Sequence, residues 1–536
     1  MNMPKWNAAW RDKALPELAE RDWDLIVVGG GISGAGILRE AARRGWSCLL
    51  LEQRDFAWGT SSRSSKMVHG GLRYIAKGQF SLTRDSVRER QRLLEEAPGL
   101  VDPLSFLFPH YQGQFPGPRV FGGLLAVYDA LAGKRNHLYY PLQQLRYLLP
   151  GIREQGLAGA TRFQDAVTDD ARLVMRVLCE ARAEGGEALN GMKVVELRRE
   201  AGKVCGLVAQ DSESGQQFRF RSRAVAQATG AWADELRKKD GPEHIRPLRG
   251  SHLMLPHWRL PVAHAISFMH AADRRPVFVF PWEGATVIGT TDLDHHESLD
   301  DDARISAAEV DYLLEACAQQ FPSAKVGRAD LLSSWAGVRP VVSEGDDSLA
   351  PSDEKREHML WTEPGCVTLA GGKLTTFRLL ALEVLQACAA FVGKPVEDHG
   401  QAVFREVPVV SLPGLSVTQQ RRLRGRHGLA LPQMTALLEE VGAESVGSLD
   451  TLWVELAQAC DTELVLHLDD LLLRRTRIGL LLANGAAAEM PQIRTLCQPR
   501  LGWSDVRWDE EQLRYLALWH NAYSLPPAIA KELNRD

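Results

Sequence analysis

Residues 24–36 read DLIVVGGGISGAG, and no other segment constrains the fold so tightly. Leu25 to Val28 is a short apolar, β-branched run, the pattern of a parallel strand buried on both faces. Gly29, Gly31 and Gly34 follow at G-x-G-x-x-G spacing. Ala35 to Arg44 then reads as a helix, which Gly45 stops. Ser47 to Leu51 is a second strand pattern ending at Glu52, 23 residues after Gly29. Each part has a physical task. The first glycine makes the tight turn, and the second admits a pyrophosphate to the backbone at a helix N-terminus. The third lets helix and strand pack, and the acid accepts hydrogen bonds from ribose hydroxyls. Glycines alone are weak evidence, but strand, glycines, helix, strand and acid in register are strong. The segment reads as a dinucleotide-binding unit, with Gly29, Gly31, Ser33, Gly34 and Glu52 as candidate cofactor contacts.

The next stretch, WGTSSRSSKMVHGGLRY at residues 58–74, is too long and hydroxyl-rich for a simple βα turn. Such a segment suits an extended FAD, with Thr60, Ser61, Ser65 and Lys66 offered to its phosphates and ring. Gly70 and Gly71 would let flavin and substrate meet at the backbone. Two later segments fit the same site. Residues 224–232, AVAQATGAW, read as a strand ending in a turn at Gly230. Residues 367–377, VTLAGGKLTTF, read as a strand, two glycines and a helix start, with Gly372, Leu374 and Thr375 facing the cofactor and a helix N-terminus suited to electron-rich oxygens. The chain has no second G-x-G-x-x-G after a strand, so no NAD domain for reducing the flavin is visible. Electrons would come from an organic substrate and leave to a separate acceptor.

Bulk properties narrow the remaining classes. The chain has 536 residues, enough for two or three domains, and a net charge of -5, which argues against a general nucleic-acid binder. Its eight cysteines form no CxxC pair and no Cys/His spacing suited to zinc, so no metal is expected and a reducing cytosol fits. The N-terminus lacks an apolar signal core. The runs Leu25 to Leu38 and Ile478 to Ala488 are too short to span a bilayer, so no spanning segment is expected.

With these pieces in order, the chain resembles the FAD-dependent (aerobic) glycerol-3-phosphate dehydrogenases. The resemblance rests on VVGGGISGAG, TSSRSSKMVHGGLRY, DDARL at 169–173, ATGAW, RGSHLML at 249–255, FPWEGATVIGTTD at 280–292, AGVRP at 336–340 and GGKLTTFR at 371–378. These run in family order, and DDLLLRRTR at 469–477 resembles the family's helical C-terminal domain. Residues 1–21, the loose PSDEKREHML at 351–360 and the stretch 408–430 depart from the pattern. The resemblance implies an FAD-binding α/β domain of the two-dinucleotide-binding or amino-acid-oxidase type, interleaved with a mixed-sheet substrate domain, plus a C-terminal helical domain. The expected division is 22–398 for the oxidoreductase part, with FAD pieces at about 22–100, 155–250 and 330–398, and 399–536 for the helical part. Strands are expected around Val277 to Phe280 and Thr286 to Gly289. Glu463 to Leu482 has leucines at helical spacing, and its RRTR run reads as a solvated, salt-bridged helix face.

The implied reaction is oxidation of sn-glycerol 3-phosphate to dihydroxyacetone phosphate, with hydride passing to FAD N5 and electrons to a quinone. By resemblance, Arg73, Tyr74, His252, Arg339, Arg356 and Lys373 line the substrate pocket. Arginine suits the phosphate because its planar fork makes paired hydrogen bonds. A base must take the hydroxyl proton, and His69 and His252 compete for that role, with Lys373 as a neutral amine in reserve. Three alternatives stay open: an oxygen-using oxidase of the same substrate, an amino-acid or 2-hydroxy-acid oxidoreductase, and a non-catalytic flavin-binding module. A quinone acceptor places the protein in the cytoplasm, peripheral on the inner face of the cell membrane. The candidate contact surfaces are the N-terminal segment, through Lys5, Trp6, Trp10, Arg11 and Lys13, and the helical surface at Arg474 to Arg477. For the first, packing of the lead against the first strand is the preferred expectation. A homodimer is left open.

Overall fold

The computed structural model describes residues 5–72, 75, 78–236, 244–343, 358–398 and 400–527. Two sheets organise the described residues. In the first, the strand Asp22–Val28 lies parallel between Gln217–Gln227 and Cys48–Leu51. Glu187–Leu189 extends it beyond Cys48–Leu51, and Cys366–Ala370 and Met359–Glu363 extend it beyond Gln217–Gln227. The strands expected at 25–28, 47–51, 224–232 and 367–377 thus converge in one sheet, at whose carboxyl ends a doubly wound fold binds its ligand. Leu25, Ile26 and Val27 are fully buried, as a central parallel strand requires. The helix after the glycine loop spans Ile32–Ala42, slightly earlier than its sequence pattern suggests, and Gly45 follows it at φ +68°. It packs against Asp170–Arg182 and Phe377–Val392. A Cβ on Gly36 would stand 2.8 Å from the Phe377 ring, so this helix pair needs a glycine to approach.

The second sheet is mixed. Its long strands Val101–Tyr111 and Leu157–Thr168 are antiparallel, and Ala265–Met269, Pro276–Trp282, Ala285–Gly289, Ile245–Pro256 and Ser333–Val342 continue it. The strands expected near 277–280 and 286–289 are Pro276–Trp282 and Ala285–Gly289. Beyond Phe377–Val392, the described chain is helical, from Val417–His427 to Asp505–Ala522. One of these helices, Trp453–Thr462, is buried on every side apart from a partly exposed Asp461.

One expectation needs correction here. The run at 474–477 is no solvated helix face. Arg474, Arg475 and Arg477 are each 2% exposed, the first two in a π-helical turn Asp470–Arg475 and the third left-handed two residues beyond it. Leucine spacing gave the helix but could not reveal that its arginines find carboxylates on another part of the chain. The N-terminal lead packs against the first strand, the preferred expectation: Trp6 clusters with Leu25 and Val27, and Leu15 and Leu18 with Ile26 and Val28. Trp6 is 1% exposed and its indole N–H donates to the Ala188 carbonyl at 3.2 Å. Arg11 pairs with Asp211 at 2.5 Å, and the Arg182 guanidinium lies over both Trp6 and Trp10. Trp6, Arg11 and the arginines at 474–477 are therefore interior, while Lys5 and Lys13 stay exposed. One helix, Leu374–Val392, is long and apolar enough to cross a membrane by composition, contrary to the sequence expectation. However, 61% of that window is buried within the protein, where a spanning helix would face lipid.

Candidate active site

A cavity of about 220 Å³ opens where the central strands of the first sheet end. Gly29, Gly31 and Ser33 form one wall, Glu52 and Thr60 and Ser61 another, and Gly230, Gly372, Lys373 and Leu374 close it. The glycines have the distinct tasks that the motif requires. Gly29 has φ +107°, and a Cβ there would stand 2.6 Å from the Ala228 carbonyl. A Cβ on Gly34 would stand 1.9 Å from the Gly29 carbonyl, so Gly34 serves helix–strand packing and not the cavity wall. Beside Gly31 only the Ser61 hydroxyl approaches, at 3.0 Å, which leaves the cavity side open to a ligand.

Glu52 accepts the Gly30 N–H at 2.6 Å and the Arg54 N–H at 2.9 Å. Burial nevertheless raises its pKa, against those two donors. Such a carboxylate gains from further hydroxyl donors. Thr229 also lines the cavity, and its buried hydroxyl has no hydrogen-bond partner. The glycine cradle, the buried acid at the strand tip and this orphaned hydroxyl together fit an extended dinucleotide.

Four predicted cofactor residues have other partners. Lys66 is a correction. Its ammonium is fully buried and bonded to both Asp170 carboxylate oxygens, at 2.9 and 3.0 Å, and to the Ser62 carbonyl at 2.6 Å. Burial and the nearby Arg477 charge lower its pKa to about 8, against Asp170. Gly70 is a second correction, because a Cβ there would stand 2.1 Å from the Tyr128 hydroxyl and 2.6 Å from Val87. Its missing side chain serves internal packing and not a flavin. Ser65 instead bonds His252 Nε2 at 2.9 Å. The Thr375 hydroxyl donates to the His69 carbonyl at 3.2 Å, which fastens the His69 loop to the Lys373–Thr375 turn at the cavity.

The two candidate bases stand in different surroundings. His69 is half-buried at the end of the strand Met67–Val68. His252 is 1% exposed, and its ring stacks on Trp335 at 4.7 Å with the planes 10° apart. On its other side a Cβ on Gly289 would stand 2.2 Å from the ring, so glycine there makes room for it. Burial, then the charges of Arg339 and Lys66, hold the His252 pKa well below the usual imidazole value. Its Nδ1 is buried without a hydrogen-bond partner.

Arg339 lies on the strand Ser333–Val342, next to Pro340, which lines the cavity. Its guanidinium donates to Asp292 at 2.8 Å and to the Thr290 hydroxyl at 3.0 Å. It crosses the neighbouring strand at Gly250, where a Cβ would stand 2.4 Å away. Gly250 and His252 are two apart on one strand and share a face, so arginine and histidine meet on that face. Asp170, Thr290, Asp292 and Trp335 had no role in the sequence reading, although all but Trp335 lie within its matched motifs. Nothing beside Asp170 or Asp292 in sequence marks its partner, and only the folded distances identify Lys66, Arg477 and Arg339. Arg73, Tyr74 and Arg356 lie outside the described residues.

The family model for FAD dependent oxidoreductases matches residues 24–378, and that for the C-terminal domain of alpha-glycerophosphate oxidase matches 367–508. The glycerol-3-phosphate dehydrogenase 2 of Mycobacterium bovis is 33% identical, over 95% of this chain and 90% of its own. The aerobic glycerol-3-phosphate dehydrogenase of Bacillus subtilis is 34% identical, over 75% of this chain and 72% of its own. Among solved structures, the glycerol-3-phosphate dehydrogenase of Bacillus halodurans complexed with FAD superposes with a TM-score of 0.76 at 27% identity. That match covers 96% of this chain and 98% of the other.

Proposed function

The chain belongs to the FAD-dependent glycerol-3-phosphate dehydrogenase family, and from that premise we propose that it oxidises sn-glycerol 3-phosphate to dihydroxyacetone phosphate and passes the electrons to a quinone. The observation that carries the substrate reading is Arg339. Asp292 and Thr290 fix its guanidinium beside His252, one residue from the cavity-lining Pro340. A fixed guanidinium suits a phosphate dianion, and holding that end aligns the carbinol for reaction. Gly29, Gly31, Glu52, Thr229 and Gly372 would hold FAD, which when bound supplies the two-electron acceptor. His69 takes the hydroxyl proton, since it is half-buried and retains access to water. His252, kept neutral by burial and positive neighbours, orients substrate and adds no further charge. Anaerobic titration of the flavin-loaded protein with glycerol 3-phosphate tests the reading, with glycine, proline and 2-hydroxy acids as competing reductants. Bleaching of the flavin by an amino or hydroxy acid in preference to glycerol 3-phosphate would overturn it. His69→Asn should slow flavin reduction by roughly 10²–10⁴-fold with substrate still bound. A larger loss in His252→Asn transfers the base to His252.

The quinone reading requires contact with a bilayer. The helix Pro118–Ala132 and its flanks supply a surface that suits it. Phe115, Val120, Val127 and Tyr147 are 74, 56, 41 and 90% exposed, beside exposed Arg119, Lys134 and Arg135. Exposed apolar side chains together with exposed basic ones suit an anionic interface. Val120→Glu/Val127→Glu should reduce co-sedimentation with anionic vesicles while turnover with a soluble dye acceptor holds. Undiminished vesicle binding by that variant removes this surface. Rapid reaction of reduced flavin with oxygen, without vesicle binding by the unmodified chain, overturns the quinone reading.

A further inference from the structure

Asp170 gathers three donors from one short segment of the chain. The Ser64 N–H donates at 3.0 Å, the Ser64 hydroxyl at 2.7 Å and the Lys66 ammonium at 2.9 Å. That segment adjoins the cavity through Ser61 and Ser64 and reaches His252 through Ser65. Arg477, from the C-terminal helical region, enters the same cluster. Its Nη2 donates to Asp170 and, at 3.1 Å, to the Ser62 carbonyl, while Nε donates to Asp169 at 3.0 Å. Arg426, also from the C-terminal region, takes the second Asp169 oxygen at 2.6 Å. Above the cluster the Lys66 ammonium lies 4.9 Å from the Trp335 ring centre, and Trp335 is the ring on which His252 stacks. The Trp335 indole N–H returns to the Ser64 carbonyl at 3.3 Å. Every link is buried or half-buried, so water cannot replace a lost partner cheaply.

We propose that Arg477 is a positioning residue of the active site: through Asp170 and the Ser62 carbonyl, the C-terminal region sets the conformation of Ser62–Lys66 and thereby the seat of the cofactor and of His252. The family models divide the chain near residues 367–378, so this bond ties one part to the site of the other. Arg477 sits at φ +63°, two residues after the π-helical turn ends at Arg475, and its own Nη1 donates back to the Leu473 carbonyl at 2.7 Å. The turn that bends the chain there is what aims this guanidinium at Asp170. The kinetic part of the proposal rests on the oxidation proposed above, whereas the cofactor part does not.

The test uses the full-length, FAD-loaded protein with Arg477→Gln, Arg477→Lys and Asp170→Asn. Arg422→Gln is the comparison. It breaks two other pairs of the C-terminal region, with Glu455 and with Glu283 of the mixed-sheet part, without touching Ser62–Lys66. Two readouts need no substrate: the visible absorption spectrum of bound flavin and the rate of FAD release. Arg477→Gln should shift the flavin bands and speed FAD release about tenfold relative to Arg422→Gln at matched urea midpoints. With glycerol 3-phosphate, the saturating rate of flavin reduction should fall about tenfold with KM nearly unchanged, because alignment and not binding is lost. Arg477→Gln and Ser65→Ala together should cost less than the product of their separate effects, since both act through one segment. Equal spectra and release rates in Arg477→Gln and Arg422→Gln would overturn the proposal. If Arg477→Gln does not fold, Arg477→Lys carries the test, and an unshifted spectrum with unmodified release overturns it. Should glycerol 3-phosphate fail to reduce even the unmodified protein, the substrate reading fails, while the spectral and release arms still decide the role of Arg477.

Discussion

The cofactor end and the C-terminal side of the site are built from opposite materials. At the glycine loop the work is done by backbone: Gly29, Gly31 and Gly34 are defined by what cannot fit beside them, and Glu52 is the one acid at the strand tip. On the C-terminal side it is done by buried charge. Asp55, four residues past the end of the second strand, is held by Arg475 through paired bonds at 2.7 Å each and by Arg474. Asp169 and Asp170 are held by Arg426, Arg477 and Lys66. Backbone cradles fail by steric exclusion at single positions, and their failure is confined to the ligand or the local turn. Ion networks fail by leaving unpaired charges far from where the change was made.

The largest effect separates glycines within the loop. Gly34→Val should prevent folding, because even a Cβ would stand 1.9 Å from a backbone carbonyl. Gly31→Val should fold but purify without yellow colour, since its side chain would occupy the space reserved for pyrophosphate. Circular dichroism with flavin absorbance checks both, and a fully FAD-loaded Gly31→Val would show that the loop binds something else. On the other side of the comparison, Asp55→Asn leaves Arg475 buried without its carboxylate, while Arg474 keeps Asp469 and Asp470. A loss of about 3–5 kcal/mol in urea unfolding is expected, as for a broken buried pair. A loss as small as that of a surface pair would mean that the two regions are coupled by packing alone.

Smaller effects sharpen the contrast. Arg339→Ala should lower kcat/KM by about 2–4 kcal/mol with FAD still bound, and Arg339→Lys should recover only part, because the planar fork is gone. Near-normal kinetics would remove Arg339 from the substrate end. The smallest effect is a pH dependence. Burial alone would lower the His467 pKa, but Glu213 and Glu511, at 3.3 and 3.0 Å, raise it to about 10. Its folded value therefore lies above the unfolded value of about 6.5, so its stabilisation is complete below that pH and is lost as pH rises through about 10. Glu213 belongs to the FAD-side sheet region and His467 to the helical region, so this pair reports on their junction. The stability difference between the unmodified protein and His467→Gln should narrow between pH 6 and pH 10. An unchanging difference would deny the pair any ionic contribution.

Much of this molecule was legible before any fold was known, and the legible parts share one property. The strand at Asp22–Val28, its turn, the following helix and the strand to Leu51 are local. Their hydrogen bonds and steric limits join residues close in sequence, so a glycine at position 31 already implies its surroundings. The segments at 224–232 and 367–377 could be placed beside them because buried parallel strands have a recognisable composition. The tertiary structure decided which charges meet. Nothing near Lys66 in sequence reveals that Asp170 holds its ammonium, and nothing near Arg477 reveals its bond to the same carboxylate. The run RRTR at 474–477 has the composition of a solvated helix face, and only long-range pairing makes it interior. Gly70 looked like a ligand's glycine for the same reason: the Tyr128 hydroxyl that excludes a side chain there arrives from 58 residues away. Local sterics are written in neighbouring residues, whereas a side-chain charge is compensated by whatever the folded chain brings within reach, and that is fixed only by the topology.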